Sequence, residues 1–238
     1  MTSNRRPNFW QTHFYYPLFI FIVLALSVEL GGIDMRVADY FYALEGGQWA
    51  LKDAWVTSIL IHKVGKYLSL LIAIGILVTL IQSYFTQKIK GHRRELAYLL
   101  CAAGGGSALI SIIKSISHVS CAWDFSRYGG EHEYATVFTE LIHQSGGDCF
   151  PAGHASGGYA WIALYFLGLH LQSKWRWAGL AFALCIGLIF GFSQQLRGAH
   201  FISHDLWTAG ICWFFSLWMY RLILTNKSYN FDPVLVRQ

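Results

Sequence analysis

Two short histidine-containing segments carry the residues of this chain best suited to chemistry. The first reads CFPAGHASG from Cys149 to Gly157, and the second reads RGAH from Arg197 to His200. Pro151 suits the first turn of a helix, and Gly153 allows backbone N–H groups to approach a ligand closely. Two histidines, an arginine and a helix N-terminus at one place would suit phosphate chemistry.

The two histidines could share the cleavage of a phosphate ester. His154 could donate a proton to a leaving oxygen, and His200 could attack phosphorus through a ring nitrogen. A nucleophilic histidine needs its other ring nitrogen held by an acceptor. His204 and Asp205 are the nearby candidates for that acceptor. These four residues are therefore the candidate catalytic set.

Lys114 and Arg197 are the cations expected to neutralise the phosphate oxygens. The simpler interpretation of Lys114 is a lysine that extends from a membrane boundary toward water.

His200 and His204 also have the i, i+4 spacing of metal-binding helices. The neighbouring lysine and arginine favour an anion over a metal ion, so we expect no metal at this site.

The composition predicts a membrane protein. Of the 238 residues, 55% are hydrophobic and 13% are charged, whereas a soluble domain carries about 25% charged residues. Apolar runs close to the 20 or so residues needed to cross a bilayer occur at 17–33, 67–85, 96–113, 155–171, 177–194 and 205–224. We therefore expect an all-α bundle of about six transmembrane helices forming a single domain over 1–238. The first run could instead be a signal peptide, although no cleavage site is clear.

Lysine and arginine placement predicts the orientation of these helices. With six spans, four segments would lie on one side of the membrane: the N-terminal segment, the loop after the second span, the turn after the fourth span and the C-terminal tail. Their basic residues are Arg5, Arg6, Lys88, Lys90, Arg93, Arg94, Lys174, Arg176, Arg221, Lys227 and Arg237. Because cytoplasmic loops are rich in lysine and arginine, both termini should be cytoplasmic and both histidine segments external.

The cysteines fall into two groups. Cys121 and Cys149 lie in the long loop 115–150, which would face a compartment that permits disulfides. A bridge between them would tie the start of the loop to the first histidine segment, but spacing alone leaves it open. The other three are expected to be buried small hydrophobic side chains: Cys101, Cys185 and Cys212.

These residues resemble the motifs of the type 2 phosphatidic acid phosphatase superfamily, which includes bacterial lipid phosphatases and, more distantly, vanadium haloperoxidases. The family pattern is a lysine, six residues and Arg-Pro, then Pro-Ser-Gly-His, then Ser-Arg, five residues, a histidine, three residues and an aspartate. The resemblance extends from Lys114 to Asp205, and the matching residues are Lys114, Pro151, Gly153, His154, Ser193 and His200.

The chain departs from the family pattern at several positions. Cys121 and Ala122 occupy the Arg-Pro positions, and Arg127 is the candidate substitute. Ala152 replaces the serine of the second motif, Gln194 the arginine of the third, and His204 its aspartate. The resemblance thus adds Gln194 and Arg127 to Lys114, Arg197 and Gly153 as candidate phosphate-binding residues. Either His204 or Asp205 would orient His200.

The resemblance implies a metal-independent phosphatase without a cofactor, in the bacterial inner membrane with its site at the periplasmic face. It would act through a phosphohistidine on phosphatidic acid, phosphatidylglycerol phosphate, undecaprenyl diphosphate or lipid A. A phosphotransferase using the same intermediate is an alternative. A non-catalytic lipid-phosphate binder or transporter is another, supported only by the departures from the pattern. A soluble haloperoxidase fits a six-span chain poorly.

Overall fold

The computed structural model describes residues 8–143 and 146–225, and within these ranges the regular structure is helical. An isolated bridge pairs Phe125 with His132. Four of the basic residues used to predict the orientation lie outside the described residues: Arg5, Arg6, Lys227 and Arg237.

The α-helices are α1 (Tyr16–Gly31), α2 (Ile33–Leu44), α3 (Gly65–Gln82), α4 (Arg93–Leu99), α5 (Gly105–Ser117), α6 (Val137–His143), α7 (Ser156–Tyr159), α8 (Ala163–His170), α9 (Arg176–Leu196) and α10 (Ile202–Met219). The π-helical segments are Gln11–Tyr15, Val56–Val64, Leu100–Gly104 and Tyr220–Leu224, and the 3₁₀ segments are Gln87–His92, Ala122–Asp124, Ser126–Tyr128 and Ala160–Ile162. Several of these segments extend α-helices, so that 93–117 and 156–170 each form a continuous helical run.

The predicted all-α membrane bundle is confirmed, although the count of six spans stays a prediction. Four helical stretches among the described residues are long and apolar enough to cross a membrane: Gln11–Gly31, Gln87–Asp124, Arg176–Leu196 and Ile202–Leu224. The second expected span contains the shorter apolar helix Tyr67–Gln82. The fourth expected span, 155–171, corresponds to the helical run 156–170, which is largely buried within the bundle. The protein is thus a multi-pass membrane protein.

The run 156–170 forms the centre of the core. Tyr159, Ile162 and Phe166 are almost completely buried along it. Helix α9 packs against α7 and α8, while α10 packs against α1, α5 and α7. Apolar side chains of α1, α3 and α9 remain exposed on the outside, as expected for surfaces in contact with lipid.

A glycine contact fixes the distance between α7 and α9. A Cβ atom on Gly158 would overlap the backbone of Gly187, and one on Gly187 would overlap the ring of Tyr159. Only glycine lets the two helices approach so closely. Gly158 lies four residues after His154, so this contact also sets the position of the first histidine segment against α9.

Pro151 does not lie in the first turn of a helix, contrary to the sequence prediction. Residues 153–155 form a turn, and α7 begins at Ser156. The N–H of Ser156 donates to the Ala152 carbonyl at 3.3 Å, which is the first i to i−4 bond of the run. The helical ladder therefore begins after the proline, and the Pro-Ala-Gly-His residues are free to form a loop.

We expect Gly158→Ala to lower the free energy of unfolding by roughly 1–3 kcal/mol, because the added methyl group must separate two backbones. Thermal unfolding in detergent measures this effect. Gly75→Ala is the matched control, since a Cβ at Gly75 in α3 would meet nothing within 4 Å. Equal unfolding temperatures for the two variants would contradict the proposed role of the contact.

Candidate active site

Lys114 and the turn 153–155 face each other across one end of the bundle. Lys114 lies in the last turn of α5. A Cβ built on Gly153 would lie 3.4 Å from Lys114 Cδ and 3.9 Å from its Nζ. The lysine side chain therefore lies directly beside the backbone of the turn at Gly153.

Hydrogen bonds join the first histidine segment to the start of α10, which follows the second histidine segment. The Ala152 N–H donates to the His204 carbonyl at 3.4 Å. The Thr208 hydroxyl lies 3.3 Å from the Ala152 carbonyl and 2.9 Å from the His204 carbonyl, and can donate to both. The first turns of α10 are thus fastened to the Pro-Ala-Gly turn. As a result, the ring centroids of His154 and His200 lie 6.5 Å apart.

His200 lies in the connection between α9 and α10, two residues before α10 begins. Its Nδ1 atom is 3.4 Å from Nδ1 of His204, and both side chains are buried. Burial lowers the pKa of His200 well below its ordinary value, and the nearby His204, Lys114 and His154 act in the same direction. At neutral pH the His200 imidazole is therefore uncharged, which a nucleophile requires.

Of the two candidates for orienting His200, His204 is the residue in contact with it. Asp205 points elsewhere: its Oδ2 accepts a hydrogen bond from Gln195 Nε2 at 2.5 Å. Gly191 leaves room for this carboxyl group, because a Cβ on that glycine would lie 2.5 Å from the Asp205 side chain. The rotation of about 100° between successive helical residues separates the directions of the two side chains.

Gln194 presents a polar group to the site. Its Oε1 accepts a hydrogen bond from Arg197 Nη1 at 3.1 Å, and arginine can only donate. This bond directs Nε2 away from the arginine, and Nε2 is buried with no hydrogen-bond partner among the described residues. A buried amide donor in this position can donate to an anionic oxygen. The Nε of Arg197 donates to the Lys52 carbonyl at 2.6 Å.

Arg127 lies on the surface and forms an ion pair with Asp39 of α2. Its Nε and Nη2 atoms donate to the two carboxylate oxygens at 2.6 and 2.7 Å. The hydrogen bond from Arg127 holds the pKa of Asp39 below its ordinary value. The structure therefore places Arg127 in an attachment of the loop 115–150 to α2, and does not bring it together with Lys114 and the histidines.

A cavity of about 430 Å³ lies between the helices and reaches the polar residues around Lys114 and His154. Its lining includes Lys114, Gly153, His154 and Gln194. Farther along it is lined mainly by small and apolar residues: Leu70, Ala73, Ala103, Gly104, Ala160, Trp161 and Phe190. Among the described residues, neither His200 nor Arg197 contributes to this lining. The cavity combines a charged end with an apolar end.

Asp34 is a site neighbour that the sequence analysis missed. Its Oδ1 accepts a hydrogen bond from the Ser203 N–H at 2.9 Å, between His200 and His204. Asp34 is buried, and this burial raises the pKa of its carboxyl group to about 6. No spacing rule could have connected residues that lie 169 positions apart.

Within residues 8–143 and 146–225, no group of three or more His, Cys, Asp or Glu side chains is arranged to hold a metal ion. The neighbouring Lys114 would oppose the binding of a cation. The donors that line the cavity suit an anionic group instead.

The fold is that of a helical membrane protein in which His154 and His200 lie together. Residues 95–228 match the family model of the PAP2 superfamily. Because the match spans more than half of the chain, the protein belongs to this superfamily, and membership indicates a phosphoester hydrolase. Neither the search of curated proteins nor the search of solved structures gave a match.

The structure joins Cys121 and Cys149 in a disulfide, with their Cα atoms 5.1 Å apart. We expect alkylation of the denatured protein without reductant to label Cys101, Cys185 and Cys212 alone. After reduction, all five cysteines should be labelled. Intact-mass analysis distinguishes the two states, and five labels without reductant would contradict the bridge.

Proposed function

We propose that this protein is a metal-independent lipid phosphatase that acts at the periplasmic face of the bacterial inner membrane. The cavity carries this proposal, because Lys114, His154 and Gln194 line it together with residues that are mainly small or apolar. A phosphate group would lie at the polar end, and the hydrocarbon of the same molecule would extend between the helices. A site that neutralises a phosphate and also buries apolar surface should bind a lipid phosphate more tightly than a soluble phosphate ester.

In the proposed reaction, the His200 Nε2 lone pair attacks phosphorus and the bond to the lipid oxygen breaks. In this reaction the Nδ1–H of His200 would donate to His204 Nδ1, 3.4 Å away, which would leave Nε2 as the nucleophilic nitrogen. Protonated His154 gives its proton to the leaving oxygen, so the lipid departs as an alcohol. The product of this step is a phosphohistidine at residue 200.

Hydrolysis of that intermediate completes the proposed cycle. Water attacks phosphorus while His154 takes its proton, the phosphorus–nitrogen bond breaks, and inorganic phosphate leaves. Lys114, the Gln194 amide and the backbone near Gly153 stabilise the charge on the equatorial oxygens throughout. Arg197 would act by holding Gln194 through the bond to its Oε1.

We expect the protein, purified in detergent with EDTA, to release inorganic phosphate from at least one member of a lipid-phosphate panel. The panel is phosphatidic acid, phosphatidylglycerol phosphate, undecaprenyl diphosphate and lipid A. His200→Ala should abolish release because it removes the nucleophile. His92→Ala is the matched control, since His92 is exposed at the opposite end of the run 93–117.

Several outcomes of this assay would contradict the proposal. Release that His200→Ala leaves unchanged would exclude the histidine mechanism, and no release from any substrate would favour a lipid-phosphate binder. Activity lost with EDTA and restored by a divalent ion would favour a metal-dependent reaction. Phosphate recovered on a second lipid alcohol, with none in solution, would identify a phosphotransferase.

A second test addresses the apolar end of the cavity. Gly104 lines the cavity, and a Cβ there would meet nothing within 4 Å, so Gly104→Leu should fill the space without displacing the backbone. We expect at least a 10-fold loss of kcat/KM on a long-chain lipid phosphate, since one buried leucine changes binding by about 1.5–3 kcal/mol. Hydrolysis of p-nitrophenyl phosphate should change less than two-fold.

Gly75→Leu is the control for this substitution, because Gly75 also has open space around it but is exposed on α3. It should leave both activities unchanged. Equal losses on the lipid and on p-nitrophenyl phosphate in Gly104→Leu would mean that the cavity does not hold the hydrocarbon chain.

A further inference from the structure

The start of α10 has no capping side chain of its own. Phe201 occupies the N-cap position and makes no side-chain hydrogen bond to the helix. The first N–H groups of a helix have no partner within the helix and require an acceptor. In this protein the buried carboxylate of Asp34 supplies one, through its 2.9 Å bond to the Ser203 N–H. A negative charge is also favourable at the positive end of the helix dipole.

The hydrogen bond to Asp34 is made by backbone that lies between His200 and His204, the proposed catalytic pair. Ser203 directly precedes His204 and follows His200 by three residues. The two imidazoles are 3.4 Å apart, close to the limit of a hydrogen bond, so a small shift at the start of α10 would break their contact.

Asp34 is itself held firmly. Its side chain is only 4% exposed, so water cannot readily replace it as the acceptor. It lies in the first turn of α2, which contacts both α9 and α10. Gly32 adopts a left-handed conformation with φ of 59° between α1 and α2, which lets α2 begin immediately after α1. The acceptor is thus positioned by a part of the chain outside residues 95–228.

We propose that Asp34 is a positioning residue of the phosphatase site, which caps α10 and so keeps His200 and His204 in reactive contact. This inference rests on the proposed function, since it requires His200 to react with phosphate. Asp34 does not touch the substrate in this account. It acts through the start of α10, where its carboxylate accepts from the Ser203 N–H.

The test compares Asp34→Ala and Asp34→Asn with the wild-type protein, using the full chain in detergent and the preferred lipid phosphate. Asp34→Ala should lower kcat by 10- to 100-fold, because a misplacement of about 1 Å can cost that much. Its KM should stay within three-fold, since Lys114 and Gln194 lie on α5 and α9. Asp34→Asn keeps a carbonyl acceptor and should retain kcat within about five-fold of the wild type.

Asp39→Ala provides the matched control on the same helix. Asp39 pairs with Arg127 and Tyr128 in the external loop, and its removal should leave kcat within two-fold. Thermal unfolding of each variant separates a local effect from a loss of folded protein. If Asp34→Ala does not fold, Asp34→Leu keeps the same number and branching of side-chain heavy atoms without an acceptor and carries the same expectation.

The inference would be overturned if kcat of Asp34→Ala were within two-fold of the wild type. It would also be overturned if Asp34→Asn lost as much activity as Asp34→Ala, or if KM rose while kcat stayed constant. A wild-type protein without phosphatase activity would instead contradict the proposed function. The two failures are therefore distinguishable.

Discussion

The site depends on the hydrogen bonds between the Ala152 backbone and the first turns of α10. The Ala152 N–H donates to the His204 carbonyl, and the Thr208 hydroxyl bridges the two segments. These bonds are buried, so no water competes for the same backbone groups. They bring His154 beside His200, although the two histidines are 46 positions apart in the chain. The proposed division into acid and nucleophile requires this proximity.

Two departures from the motif pattern of the superfamily acquire a physical interpretation in this arrangement. Gln194 stands where the pattern has an arginine. Arg197 donates to its Oε1, which leaves the amide N–H groups as donors on a residue that lines the cavity. His204 stands where the pattern has an aspartate, and its ring contacts His200 as an acceptor could. Both replacements supply a hydrogen-bonding group without the original charge. The proposed site would therefore rely on Lys114 for much of its positive charge.

The position of the cavity connects this chemistry with the membrane. Its polar end lies where α5 ends and where the run 156–170 begins, and its apolar end lies between spans. The close contact of Gly158 with Gly187 holds one wall in place, because neither backbone can move closer or carry a side chain there. A molecule with a phosphate at one end and hydrocarbon at the other would match both ends of this space.

The sequence by itself determined the helical membrane class and most of the residues that meet at the site. Apolar runs of about 20 residues must satisfy their backbone groups internally, and helices do this within each run. The sequence was enough to identify Lys114, His154 and His200 as candidate site residues, because residue type and position beside an apolar run are local properties. The tertiary structure decided which groups face one another. It paired Arg127 with Asp39, directed Asp205 toward Gln195, and brought Asp34 to Ser203. These contacts depend on how distant helices pack and on where each helix begins, and neither is encoded in local periodicity.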